Sequence, residues 1–129
     1  MYYHVWFVTK YRKEYLEGET NPRIKDIFSE CIERHKYKVL EFETCYDHVH
    51  MLVEVNDRKE LSETMRTLKA VSAKEILQTP RFRVGNVKSS FWARRYGSRE
   101  IADSEIEYIR EYIRNQKKHH GKDTTRGSV

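Results

Sequence analysis

Residues 38–55 read KVLEFETCYDHVHMLVEV, two apolar, strand-like runs with a short connection between them. The runs are Lys38–Thr44 and His48–Val55, and only three residues separate them. Both are rich in β-branched and other apolar side chains, which favour strands. Two such runs joined by so short a connection predict a β-hairpin.

The second run of the hairpin carries two histidines with one valine between them. Because side chains alternate along a strand, His48 and His50 share one face with Leu52, and the valines lie on the other face with Met51. The Cβ atoms of the two histidines are then about 7 Å apart, close enough for both rings to reach one metal ion. The same pattern fits two histidines on the solvated face of a half-buried strand, and the spacing alone leaves both interpretations open.

The segment before the hairpin predicts one strand and one helix. Tyr3–Thr9 (YHVWFVT) has the composition of a strand. Asn21 followed by Pro22 predicts a helix over residues 22–37, with Asn21 as its N-cap. Apolar residues recur along this helix at steps of three and four positions: Ile24, Ile27, Phe28, Cys31 and Ile32.

The segment after the hairpin predicts a second helix and a fourth strand. The helix runs from Lys59 to near Pro80. Its apolar stripe consists of Leu61, Met65, Leu68, Ser72 and Ile76. A turn at Gly85-Asn86 then leads to a predicted strand at Ser90–Tyr96 (SFWARRY), in which Trp92 is expected to pack in the core or in a dimer interface.

A last helix is predicted to begin at Asp103 or Ser104, where Ser104 and Glu107 have the spacing of a capping box, and to fray past Lys118. Its buried arc consists of Ile106, Ile109 and Ile113. Beside that arc lies a stripe with a spacing of four, formed by Tyr108, Tyr112 and Gln116. Boundary tyrosines usually pack their rings inward and keep their hydroxyls in water, which is the interpretation favoured for Tyr108. Taken alone, Tyr112 and Gln116 also favour a structural role.

The order β-α-β-β-α-β followed by one helix predicts an α+β, ferredoxin-like fold with a four-stranded antiparallel sheet. Two helices cover one face of such a sheet. The other face is then solvated, occupied by a ligand, or covered by the last helix or a second subunit. We expect residues 1–118 to form one domain and the polar residues 119–129 to be a mobile tail.

Composition narrows the class of protein. The 129 residues carry a formal charge of +5 with a pI near 9.2, a weak indication of a polyanionic partner. No run is long enough to cross a membrane and the start lacks the layout of a signal peptide, so we expect a cytoplasmic protein without a membrane partner. Cys31 lies on a helical apolar stripe, which predicts a buried free thiol in a reducing compartment.

The histidine pair, the strand and helix order and the late YIRNQ helix together resemble the single-tyrosine HUH transposases of small insertion sequences. Related repeat-associated tyrosine transposases share the resemblance. The opening YHVWFVTKYR and the SFWARRY segment look like the same family, so the likeness runs from about residue 3 to residue 118. It implies that Tyr112, on the C-terminal helix, is the catalytic nucleophile and that His48, His50 and Gln116 bind a divalent metal. Phosphate and water in the remaining coordination positions favour Mg²⁺ or Mn²⁺.

The resemblance also implies a substrate and an assembly. The substrate is single-stranded DNA with a subterminal hairpin at the end of an insertion sequence, cleaved and rejoined through a 5′-phosphotyrosine. The assembly is a homodimer. Binding of single strands needs cations along the backbone, and the candidates for DNA contacts are Lys10, Arg12, Lys13, Lys69, Arg94 and Arg95.

Two other functions fit the same pattern. One is a non-catalytic module that binds single-stranded nucleic acid on a ferredoxin-like fold. The other is an HUH replication or mobilisation nickase, which uses the same histidine pair and tyrosine but is usually larger. Covalent attachment to DNA separates the first alternative from a transposase, and rejoining to a second DNA end separates the second.

Overall fold

The computed structural model describes residues 1–10, 16, 20–78 and 91–116. Its elements are β1 (Tyr2–Val8), α1 (Thr20–His35), β2 (Lys38–Cys45), β3 (His48–Glu54), α2 (Arg58–Gln78), β4 (Gly97–Ile101), a 3₁₀ turn (Asp103–Glu105) and α3 (Ile106–Arg114). The strands form one antiparallel sheet in the order β2-β3-β1-β4. The predicted α+β class, with βαββαβ order and an additional helix, is confirmed. The predicted end of α2 at Pro80, the turn at Gly85-Asn86 and the tail at 119–129 lie outside the described residues.

The hairpin is confirmed, and its turn fixes the position of the first histidine. β2 extends to Cys45, so that only Tyr46 and Asp47 connect it to β3. Tyr46 adopts a left-handed backbone with φ 51°, which is uncommon outside glycine. Its N–H and carbonyl exchange hydrogen bonds of 3.0 and 2.8 Å with the backbone of Leu16, whose side chain is buried. These bonds hold the tight turn that places Asp47 and His48 at the end of the sheet.

The two faces of the sheet carry different residues, as the alternation predicted. Val49, Met51 and Val53 lie in the core with the buried stripes of α1 and α2. His48, His50 and Leu52 lie on the opposite face. There Leu52 packs with Ile109 and Ile113 of α3. Of the covers that the sequence left open for this face, the structure thus shows the last helix. Within the described ranges, no helix is long and apolar enough to cross a membrane.

The fourth strand lies later in the chain than predicted. Trp92 makes a single bridge to Thr9, and the regular strand begins only at Gly97. Residues 93–96, between these points, belong to no strand. Phe91 and Trp92 are buried among α1 and α2, where Trp92 Nε1 donates a 2.9 Å hydrogen bond to Ser72 Oγ. Of the two kinds of packing expected for Trp92, core or dimer interface, the structure shows packing in the core. The polar sequence GSREI of β4 gave no strand signal because β4 is an edge strand with only Ile101 buried.

Both predicted helix caps are wrong. α1 begins at Thr20, so Asn21 lies inside the helix, where its Oδ1 accepts a hydrogen bond from the Thr44 hydroxyl of β2. At the other end of the chain, Ala102 precedes the 3₁₀ turn and its N–H donates to the Glu105 carboxylate at 3.1 Å. The turn therefore closes two residues ahead of the predicted pair Ser104 and Glu107. In both cases a polar side chain makes a contact other than the one that its local spacing favoured.

Gly97 is required by a close approach of the Trp6 indole. A Cβ atom on Gly97 would lie 2.2 Å from Trp6 Cε2. We expect Gly97→Ala to lower the free energy of unfolding by about 1–3 kcal/mol, the usual cost of overpacking. Denaturant unfolding measures this change. A second variant, Trp6→Leu in the Gly97→Ala background, should recover part of the loss; strictly additive effects of the two substitutions would contradict the close approach.

Candidate active site

His48 is oriented by the carboxylate that precedes it. Asp47 and His48 are both buried, and His48 Nδ1 lies 2.9 Å from Asp47 Oδ1. An ionised carboxylate only accepts hydrogen bonds, so Nδ1 carries the proton. When the ring is neutral, its lone pair is then on Nε2, a buried atom. Neutral imidazole in this tautomer, held by a carboxylate, is the usual arrangement of a metal-binding histidine.

His50 has a different partner, the imidazole of His4 on the neighbouring strand. His4 Nε2 and His50 Nδ1 are 2.9 Å apart, and the two rings meet edge to edge with centroids 5.1 Å apart. His4 lies opposite Leu52 in the register, diagonal to His50, which is within reach of long side chains. Burial, together with the nearby Arg99 guanidinium, lowers the pKa of His4 to about 4. The ring is therefore neutral at pH 7.

The depressed pKa of His4 makes folding stability depend on pH. Its pKa falls from 6.5 to about 4 on folding, so below pH 6.5 the unfolded chain binds a proton that the folded ring does not. Stability is therefore lost as the pH decreases from 6.5 to 4, by up to about 3 kcal/mol from this residue. We expect urea unfolding of His4→Gln to show a weaker decrease between pH 7 and pH 4 than the wild type. Parallel pH curves for the two proteins would contradict the assignment.

α3 brings Tyr112 over the histidines in the same protomer. The Tyr112 ring contacts His50 and His4 edge-on, with centroid distances of 6.0 and 5.9 Å. The structure thus brings Tyr112 of α3 together with His50 of β3 and His4 of β1. Tyr108, predicted to pack its ring at the boundary, is instead 70% exposed. It lies outside the buried arc of α3, which is formed by Ile109 and Ile113.

Gln116 lies one turn after Tyr112 and is buried, with 4% of its surface exposed. Its side-chain Nε2 donates a 3.3 Å hydrogen bond to the Tyr112 carbonyl. That bond leaves the amide oxygen Oε1 as the atom suited to bind a cation. An amide buried beside the Tyr112 helix turn fits the predicted ligand set, in which its oxygen accompanies the two imidazoles.

α3 is fixed to the sheet by ion pairs as well as by apolar contacts. The Glu41 carboxylate of β2 lies 3.4 Å from Arg110 Nε and 3.2 Å from Arg114 Nη2. The two arginines are one turn apart on α3, so one carboxylate holds the stretch of helix that includes Tyr112. Together with the apolar contacts of Ile109 and Ile113, these pairs set the height of Tyr112 above β3.

The candidate DNA-binding cations occupy different environments. Lys10, Arg94 and Arg95 are exposed. Lys69 is not fully exposed: its Nζ donates to the carbonyls of Ala93, Arg94 and Arg95 at 2.8, 3.2 and 3.2 Å, and burial lowers its pKa. Lys69 therefore holds the 93–95 segment that carries the two arginines. Arg12 and Lys13 lie outside the described residues.

The predicted ligands are two imidazoles and one amide, all neutral side chains with a lone pair to donate. In the described parts of the chain no three His, Cys, Asp or Glu side chains are grouped so as to hold one ion. His48 and His50 project from the same face of β3, with ring centroids 5.2 Å apart. Neutral ligands in this number leave coordination positions open for substrate and water.

Two residues of the site were missed by the sequence analysis. Asp47 was assigned only to the hairpin connection, although a carboxylate next to a candidate ligand histidine is a recognisable signal. His4 was assigned only to the first strand. Its signal is the alternation of YHVWFVT, which puts Tyr3 and Val5 on one face of the strand and His4 on the other. That other face is the one that carries the histidines of β3.

Comparison with known proteins gives consistent matches. The sequence model of the family described as "Transposase IS200 like" matches residues 1–116. The chain is 30% identical over 119 residues to the transposase for insertion sequence element IS200 of Salmonella typhimurium, covering 88% of this chain and 75% of the relative. It is 25% identical over 115 residues to the ISDra2 transposase TnpA of Deinococcus radiodurans, covering 88% and 82%.

Two solved structures share the fold. A crystal structure of a transposase from Deinococcus radiodurans superimposes with a TM-score of 0.70 at 24% identity, covering 90% of both chains. The structure of a REP-associated tyrosine transposase bound to a REP hairpin superimposes with a TM-score of 0.69 at 12% identity, covering 93% of this chain and 68% of that one.

Proposed function

This chain belongs to the family of IS200-like transposases, and from that membership and the geometry of the site we propose that it cleaves and rejoins single-stranded DNA through a covalent bond to Tyr112. The observation that carries the proposal is the contact of Tyr112 with His50, whose ring centroids are 6.0 Å apart. A phenol on a helix meets an imidazole on a central strand there, from distant parts of the chain. A nucleophile beside a proposed metal ligand supports attack on a metal-bound phosphate.

Tyr112 supplies the attacking oxygen. Its Oη loses the phenolic proton and forms a bond to the phosphorus, while the bond from phosphorus to the 3′ oxygen breaks. The strand that ends in that oxygen takes up a proton and leaves with a free 3′-hydroxyl. The 5′ phosphate stays on the enzyme as a phosphotyrosine. Because the bond energy is kept in this ester, a 3′-hydroxyl can attack it later and rejoin DNA without an external energy source. Such chemistry suits strand transfer better than degradation.

The residues proposed to hold a divalent cation are His48, His50 and Gln116. Mg²⁺ or Mn²⁺ bound there would polarise the scissile phosphate as a Lewis acid. Asp47 supports this assignment because it fixes the His48 proton on Nδ1, 2.9 Å away. Gln116 supports it because its amide is buried one turn after the nucleophile. The neutral donor set leaves the charge of the ion available to the phosphate.

The proposed substrate is single-stranded DNA that contains a hairpin, and the proposed assembly is a homodimer. One structural neighbour is a tyrosine transposase bound to a REP hairpin, which supports a hairpin ligand for this chain. The exposed side chains of Lys10, Arg94 and Arg95 are proposed to contact phosphates. Lys69 holds the backbone of the two arginines by hydrogen bonds to their carbonyls. Arg12 and Lys13 stay candidates from the sequence.

The proposal is tested with a pool of labelled oligonucleotides, each with a short hairpin flanked by randomised single-stranded sequence. We expect a protein–DNA adduct that survives SDS, forms only with Mg²⁺ or Mn²⁺, and enriches a short sequence beside the hairpin. Tight binding that is independent of metal and never covalent would favour the non-catalytic binding module instead. Cleavage that yields the adduct but never joins the DNA to a second end would favour the nickase.

A further inference from the structure

We propose that His4 is a positioning residue for metal binding: it accepts a hydrogen bond from His50 Nδ1–H and thereby presents His50 Nε2 to the ion. This inference rests on the proposed function, since it assigns a role relative to the proposed cation site. It adds a third histidine to the site, from a strand that contributes no proposed ligand.

The distance between the facing nitrogens of His4 and His50 is that of a hydrogen bond. The distance from His4 Nε2 to His50 Nδ1 is 2.9 Å, and both residues are buried, with 7% and 1% of their surfaces exposed. A buried bond between imidazoles has only two arrangements of its proton. The proton is on His50 Nδ1, which leaves Nε2 of His50 basic, or it is on His4 Nε2.

Comparison of the two proposed ligands favours the first arrangement. His48 donates from Nδ1 to an acceptor, the Asp47 carboxylate, at 2.9 Å. His50 uses the same nitrogen at the same distance toward His4. With the proton on Nδ1 in both rings, both Nε2 atoms can donate a lone pair to one cation, and such outer partners are the usual support of metal-binding histidines.

The environment of His4 fixes the orientation of its ring. Trp6 packs against it with centroids 5.1 Å apart, and Tyr112 packs edge-on at 5.9 Å. Trp6 is itself held by its close approach to Gly97. The ring is thus enclosed by an aromatic neighbour on its own strand and by the proposed nucleophile. A side chain held on these sides meets His50 in one geometry, as a positioning residue must.

The test compares wild-type protein with His4→Phe, which keeps a ring but has no acceptor, and His4→Gln, which restores an acceptor. His35→Phe is the matched control, because it removes an exposed imidazole from the end of α1. Two quantities are measured: the protonated nitrogen of each imidazole in metal-free protein, by long-range ¹H–¹⁵N NMR, and the Kd for Mn²⁺ alone, by electron paramagnetic resonance.

In wild-type protein we expect the proton on Nδ1 of both His48 and His50. His4→Phe should change the tautomer of His50 and leave that of His48 unchanged, since Asp47 holds His48 independently. The Mn²⁺ Kd should rise by about 10- to 100-fold in His4→Phe, the usual effect of removing an outer partner. His4→Gln should recover most of this loss, and His35→Phe should equal the wild type.

A proton on His50 Nε2 in the wild type would overturn the inference, and this measurement does not depend on whether any variant folds. A folded His4→Phe with an unchanged His50 tautomer and Mn²⁺ Kd would also overturn it. Failure of the wild type to bind Mn²⁺ would instead count against the proposed cation site. The NMR measurement would still decide whether His4 accepts the His50 proton.

Discussion

Tyr112→Phe is expected to abolish formation of the covalent protein–DNA adduct, to below about a thousandth of the wild-type yield. The substitution removes only the hydroxyl oxygen, which is the proposed nucleophile. The ring that contacts His50 and His4 stays in place, so α3 should dock as before. Adduct yield on an SDS gel measures the effect, and binding of the same oligonucleotide should change little.

Tyr108 provides the matched control for this substitution. It lies on the same helix one turn before Tyr112, but it is 70% exposed and belongs to no cluster of the site. Tyr108→Phe should form the adduct at the wild-type rate. An adduct that persists in Tyr112→Phe and is lost in Tyr108→Phe would move the nucleophile to the outer face of α3 and contradict the proposed site.

Replacement of either β3 histidine is expected to remove the metal-dependent part of the reaction. His48→Ala and His50→Ala each delete a proposed ligand, and we expect adduct formation to fall by at least about a hundredfold, more than the loss of an outer partner causes. Chelation by EDTA should reduce the wild type to the same level. Added Mn²⁺ should restore the wild type but neither variant.

His35→Ala is the control for the histidine variants, because the exposed His35 stacks on Tyr37 at the end of α1 and has no contact with the described site residues. It should keep wild-type activity. Thermal unfolding of all three variants separates a lost ligand from a lost fold. Activity that is insensitive to EDTA, or a folded His50→Ala with full activity, would refute the role assigned to the ion.

The sequence predicted the parts of the fold that depend on strong local patterns. The hairpin followed from two apolar runs with a short connection, and the faces of β3 followed from alternation alone. The fourth strand was misplaced because SFWARRY, the more apolar segment, packs Phe91 and Trp92 against the helices. The polar GSREI segment pairs with β1 instead. Edge strands need little apolar character, so composition misleads there.

Only the proposed nucleophile and metal ligands of the candidate site were predicted from the sequence. The His48 and His50 spacing and the Tyr112 and Gln116 spacing are visible in the sequence, and the resemblance to a transposase family linked the two pairs. Asp47 contacts the ring of the residue that follows it, but the local spacing around His4 does not predict which ring His4 contacts. His4 reaches His50 only because β1 pairs with β3 in a register that puts the two residues on a diagonal.

Mass spectrometry of the purified adduct shows which residue carries the DNA strand. After nuclease digestion and proteolysis, we expect a nucleotide attached through its 5′ phosphate to the peptide that contains Tyr112. Attachment to a different residue, or a 3′-phosphate linkage at Tyr112, would contradict the proposal.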